Sequence, residues 1–270
     1  MPGFRTFPSQ GILRSSSIHL GAFITAVLVF ACVQLPVATA GQEDESEESH
    51  QVRAQRLYRE AKSRYEENPS DPQAVWEFAR ACYDMADLAA DNARREQLAL
   101  EGIKVCRLAL QKHPAVAPVH YYMALNIGQE ARTKTLRALG LVVDMEKSLL
   151  RVIELDAKFD FAGAHRAVGI LYRDAPGWPV SIGSKVKART HLEKALALFP
   201  NYPGNHLVIL ETHLEWGEKA RAAQRMDAAR KVMKSARDVL TGEQWALSWE
   251  EWDAKWRKVL SQLGESESSE

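Results

Sequence analysis

The sequence predicts an all-α protein, a solenoid of about four lengthened helical hairpins with a leading helix and a Trp-rich capping helix. Three observations predict it. The stretch from Phe161 to Trp216 reads as two helices whose small residues fall where backbones would meet, namely Gly169 and Ala188. Its register recurs at Trp76, Ala79, Arg80 and Tyr83, at His120, Met123, Ala124 and Ile127, and at His206, Ile209, Leu210 and His213. Near the C-terminus, Trp245, Trp249, Trp252 and Trp256 recur at helical spacing, continued by Leu260 and Leu263.

The central hairpin carries His165, Val168, Gly169 and Tyr172, then Ala188, Leu192, Ala195 and a closing Pro200. This is the W-x2-L-G-x2-Y and A-x3-F pattern of the tetratricopeptide superfamily, to which it is similar. Val168, Tyr172 and Leu192 fill the space that the small residues leave. Pro200 ends the second helix because it lacks an N–H and its ring blocks the turn. Equivalent starts lie 44, 45 and 41 residues apart. That exceeds the usual tetratricopeptide period of about 34 and falls in the HEAT range. The motif spacings survive intact, so the extra residues are read as longer hairpins.

Residues 1–40 lie outside the predicted fold. Arg5 and Arg14 precede a short apolar run, Leu20 to Val33, and Ala38-Thr39-Ala40 offers a small-residue cleavage site. The run is shorter than the ~18 apolar residues of a spanning helix. It reads as an export leader cleaved before Gly41, placing the mature protein across the inner membrane in the periplasm. Lipidation at Cys32, in a weak Val29-Phe30-Ala31-Cys32 box, is the minority alternative.

The chain holds 35 basic and 35 acidic residues. Residues 51–260 hold 33 basic and 27 acidic ones, a net charge of +6. That excess is spread along helices, unlike the concentrated face of a nucleic-acid binder. The acidic segment 41–50 and the tail 264–270 read as disordered, leaving 51–263 as the helical domain.

The leading helix is expected from Val52 to Glu67. Asp71 followed by Pro72 marks the next start. Cys82 and Cys106 fall on the two helices of the first hairpin; packed axes ~8–10 Å apart are too distant for a disulfide, so both read as free thiols. Thr241 and Gln244 suggest a capping box ahead of the Trp-rich helix, which should cover the open end of the fourth hairpin.

The residues argue against an enzyme, a cofactor or a metal. His120, His165 and His206 occupy one place in successive first helices, so they read as packing positions. No HExxH, GxSxG, GxxxxGK[ST] or GxGxxG motif occurs. A binding surface remains. The candidate ligand site joins Arg166 and Arg173, seven apart on one helix, with Tyr121 and Asn126 of the preceding repeat. Trp178, in the loop Asp174 to Ser184, completes it. That loop holds Pro176, Gly177, Pro179 and Gly183, so it is not helical. Trp178 either plugs its own hairpin or closes over a small acidic or amphipathic ligand. In the plainer alternative both arginines pair with acidic neighbours.

HYYMALNIG (120–128), AGAHRAVGILYRDAPGWP (162–179) and HLEKALALFPNYPGNHLVILE (191–211) resemble the T component of tripartite ATP-independent periplasmic (TRAP) transporters. The resemblance implies an extracytoplasmic small-ligand binder, a transporter substrate-binding subunit as partner, and a trimer. A general protein scaffold in the cell envelope is the alternative function. WEFARACYDMADL (76–88) and ALEGIKVCRLAL (99–110) also resemble tetratricopeptide proteins called regulators of microtubule dynamics, a likeness read as shared ancestry only.

Overall fold

The structure, a computed structural model, describes residues 43–134 and 137–265. The leader, its cleavage after Ala40 and Cys32 lie outside those residues, as does the tail beyond 265. The described chain folds into eleven α-helices. They are α1 (Glu43–Glu67), α2 (Pro72–Asp87), α3 (Asn92–Lys112), α4 (Ala117–Ala131), α5 (Ala138–Asp156) and α6 (Phe159–Asp174). After these come α7 (Lys185–Leu198), α8 (Pro203–Glu215), the short α9 (Lys219–Ala223), α10 (Met226–Arg237) and α11 (Glu243–Leu263). Four hairpins result, α2/α3, α4/α5, α6/α7 and α8/α10, with α1 ahead and α11 behind. This is an all-α solenoid of helical hairpins.

Local chemistry accounts for the starts and stops. Asp71 caps α2, its carboxylate accepting from the amides of Gln73 and Ala74 at 3.1 and 3.3 Å, with Pro72 at the first position. Ser184 accepts from the Lys187 amide to start α7. Helix α1 begins at Glu43, inside the acidic stretch expected to be disordered, and not at Val52.

The small residues sit at close approaches. A methyl group on Gly169 would come within 2.6 Å of Leu192 Cδ2 and 3.3 Å of the Ala188 carbonyl. One on Gly102 would meet the Asn126 side chain at 2.7 Å. Cys82 and Cys106 are free and buried. The histidines of the first helices do repeat one contact. Nε2 of His120 lies 2.9 Å from the Pro114 carbonyl, and Nε2 of His206 lies 2.7 Å from that of Pro200. Each ties a first helix to the end of the helix before it. His165 departs from this, with Nδ1 3.0 Å from Nδ1 of His191.

Helix α11 closes the array. Val259 and Leu260 pack with Leu210, Ala222, Met226 and Ala229, covering the α8/α10 hairpin. Trp252, 1% exposed, packs with Trp245, Tyr202, Leu207 and Met233. The expected capping box is absent: Gly242 stands at the cap with φ 93° and no side-chain bond, and Gln244 donates to the Thr241 carbonyl at 2.9 Å. The helix starts at Glu243, so Gly242 rather than Thr241 occupies the cap. Helix α11 also reaches the other end of the chain. Arg53 of α1 donates to the Glu243 carbonyl, and His50 meets Glu250 at 3.1 Å.

Candidate functional site

The first helices of the hairpins turn a polar and aromatic set inward, around a turn that opens α6. Asp160, Phe161 and Ala162 all have positive φ, at 52°, 54° and 60°. A left-handed residue other than glycine costs roughly 1–2 kcal/mol. Three in succession therefore need strong support, and Arg166 supplies it. Its guanidinium donates to the carbonyls of Phe161 and Asp160 at 3.0 and 3.3 Å, to the Asp160 carboxylate at 3.3 Å and to Asn205 Oδ1 at 3.0 Å. Its fork also lies over the Tyr202 ring, 5.0 Å from the centroid. Phe161 stacks on Tyr202 at 4.5 Å. Tyr121 donates to Asp160 Oδ2 at 2.7 Å.

Around this centre lie further charges. Arg80 and Asp84 of α2 approach to 3.6 Å, and Lys255 of α11 lies 3.7 Å from Glu211 and 2.8 Å from Glu251. Burial pushes the Asp84 carboxyl up to about 7, with Asp87 adding and Arg80 and Arg53 opposing. Burial likewise raises the phenols of Tyr83, Tyr121 and Tyr122. Glu251 adds to the shift at Tyr83 and favours the charged form of Arg166, so α11 contributes its field to the inner face. The Tyr122 hydroxyl and Asp84 Oδ1 are buried with no hydrogen-bond partner among the described protein atoms.

The expected site residues divide four ways. Tyr121 and Arg166 do come together, through Asp160. Asn126 is fully buried and holds backbone, donating to the carbonyls of Ala79 and Tyr122 at 2.8 Å each. Arg173 is spent on Asp174 and Glu215, at 2.6 and 2.9 Å, and on Thr212. The plainer reading, in which both arginines pair with acidic neighbours, is the one the geometry supports. Trp178 neither plugs its hairpin nor covers this cluster: it is 88% exposed. Backbone bonds from Gly183 to Pro176 and from Ser184 to Tyr172 close the loop below it and leave its tip in solvent.

Asp160, Asn205, Tyr202 and Lys255 were not anticipated. Asn205 joins Arg166 to the carbonyls of Phe161, Ala195 and Phe199, a junction between hairpins that no helical period marks. A second ionic feature is an open cleft of about 220 Å³ lined by Arg189, Glu193, His213, Arg221, Gln224 and Arg225. There Glu218 takes Arg189 at 2.9 Å and His213 at 2.7 Å. Among the described residues no group of three or more His, Cys, Asp or Glu side chains converges as a metal site.

Residues 37–156 match the family model described as regulator of microtubule dynamics protein 1-3. The matched residues run through α1 to the end of α5. A comparison with curated proteins gives no match. The family match overturns the assignment to the T component of TRAP transporters. With it fall the periplasmic transporter function, the substrate-binding subunit as partner and the trimer. Two of the three segments that carried that assignment, 162–179 and 191–211, lie beyond residue 156. Their Gly, Ala and Tyr positions report how helices pack, which many unrelated hairpin arrays share. The segments 76–88 and 99–110, set aside as mere ancestry, lie inside the matched residues and were the better guide to what this chain is similar to.

Proposed function

We propose that this chain is a non-enzymatic helical-repeat protein that acts on microtubule dynamics. The observation that carries the reading is the match of residues 37–156 to the regulator of microtubule dynamics model. The physical chemistry is compatible with it. The inner charges are committed to holding the turn at Asp160 and to seating α11, which leaves the outer helix faces for partners. Residues 51–260 carry a net charge of +6, suited to an acidic polymer surface.

The test is polymerisation of purified tubulin with and without the chain, followed by turbidity and by sedimentation of the polymer. The expected result is co-sedimentation that weakens with salt, together with a changed rate of growth or shortening. Growth and shortening rates unchanged at saturating chain, with none in the pellet, would rule the reading out. Cleavage of residues 1–40 after Ala40 is a separate proposal. N-terminal sequencing of the chain from its source supports it on finding Gly41 first and overturns it on finding Met1.

A further inference from the structure

The loop between α6 and α7 is built to hold its tip still. Val180 and Ser181 donate to the Gly177 carbonyl at 3.0 and 3.3 Å, and Gly183 donates to the Pro176 carbonyl at 2.9 Å. A methyl group on Gly183 would fall 2.0 Å from the Ala175 carbonyl oxygen, so the two arms touch with no room to spare. Yet what the loop presents is apolar. Pro176 through Val180 are all exposed. Trp178 is 88% exposed and Val180 62%, and Val186, in the first turn of α7, is 77% exposed. Ordered apolar side chains that the fold leaves in water mark an interaction surface.

The charges beside them say what kind. Lys185 and Lys187 are exposed and adjoin the loop; their ammonium groups lie 5.4 and 4.9 Å from the centroids of Trp216 and Tyr172. Neither has a carboxylate partner among the described residues. The one exposed carboxylate within the loop, Asp174, is taken by Arg173. An aromatic tip with aliphatic neighbours, beside two exposed lysines that have no carboxylate partner, matches a bilayer surface. Indole rings settle at the headgroup level there, and lysines meet acidic headgroups. We propose that the Trp178 loop docks the protein onto a membrane surface rich in acidic phospholipid, with Trp178 and Val180 entering the headgroup layer and Lys185 and Lys187 contacting the lipid anions.

The experiment uses the full chain and vesicles of phosphatidylcholine, with or without phosphatidylserine, whose acyl chains carry bromine to quench tryptophan. Quenching on the acidic vesicles is expected, and Trp178→Ala should remove most of it. Lys185→Ala and Lys187→Ala should each weaken binding to acidic vesicles by about fivefold at low salt. Trp178 has few contacts to lose, so circular dichroism of its variant should match the parent. Equal quenching in parent and Trp178→Ala would place the contact on another segment and overturn the proposal. So would the absence of quenching on either vesicle, and a Trp178-dependent self-association or protein contact in that case would assign the tip to a protein.

Discussion

The carboxylate of Asp160 and the guanidinium of Arg166 meet at 3.3 Å with side chains 1% and 2% exposed, across a turn whose three residues are all left-handed. Six residues apart, they make one device. Arg166 binds the turn's carbonyls as well as its carboxylate, while Asn205, Tyr202 and Tyr121 hold the pair from the neighbouring hairpins. Breaking one partner of a buried pair leaves the other charge uncompensated.

Arg166→Ala should therefore destabilise the fold by about 3–5 kcal/mol, seen as a lower urea midpoint. Replacing both partners, Asp160→Asn with Arg166→Met, should cost less than the single change, because no buried charge is then left alone. A single variant as stable as the parent would refute this role.

Trp252 is the deepest residue of the Trp stripe and Trp178 the most exposed tryptophan of the described chain. Truncating Trp252 to Ala should cost about 3–5 kcal/mol. Trp178→Ala should stay within about 0.5 kcal/mol of the parent. Thermal melts of the two variants side by side check both.

Stability should respond to pH through opposed groups, buried histidines on one side and Asp84 on the other. Burial, with His191 and Lys194 adding, lowers His165 from 6.5 to about 4. The unfolded chain then binds this proton more readily, so stability is lost as pH falls from about 6.5 to about 4. Asp84 is raised from 3.8 to about 7, so its contribution is present at low pH and lost as pH rises through that window. Burial also lowers His191 and His206, in the same direction as His165, so the parent should climb toward neutrality and Asp84 should make that climb shallower. Asp84→Asn should steepen it. Denaturant titrations at several pH values measure it, and an Asp84→Asn profile no steeper than the parent would count against this assignment.

Burial also raises both thiols, Cys82 well above and Cys106 clearly above the ordinary cysteine range. Iodoacetamide should leave them unmodified in the native protein and label both after unfolding without reductant. The readout is intact mass. A pair that resists alkylation when unfolded would be disulfide-bonded.

The helices were largely legible from sequence because their signals are local. Asp71-Pro72 starts α2 through bonds two and three residues away, Gly169 and Ala188 mark a backbone approach, and the Trp245 to Trp256 spacing gives α11 its buried face. What the inner face does was not legible. Arg166 and Arg173 look alike in sequence, seven apart on one helix. Their partners differ because Asn205 is 39 residues downstream of Arg166 and Asp160 sits in a left-handed turn that Phe161 and Ala162 disfavour. Trp178 shows the same limit from the other side: Pro and Gly announce a loop, but whether its tip folds inward is decided by the Gly183 contact and the backbone bonds below it. Sequence by itself determined where most of this chain from Val52 onward is helical, since the helix bond spans four residues; the first turns of α1, from Glu43, it read as disordered. Tertiary structure alone decided which polar groups meet and which apolar group is left in water, because those outcomes depend on contacts between hairpins tens of residues apart.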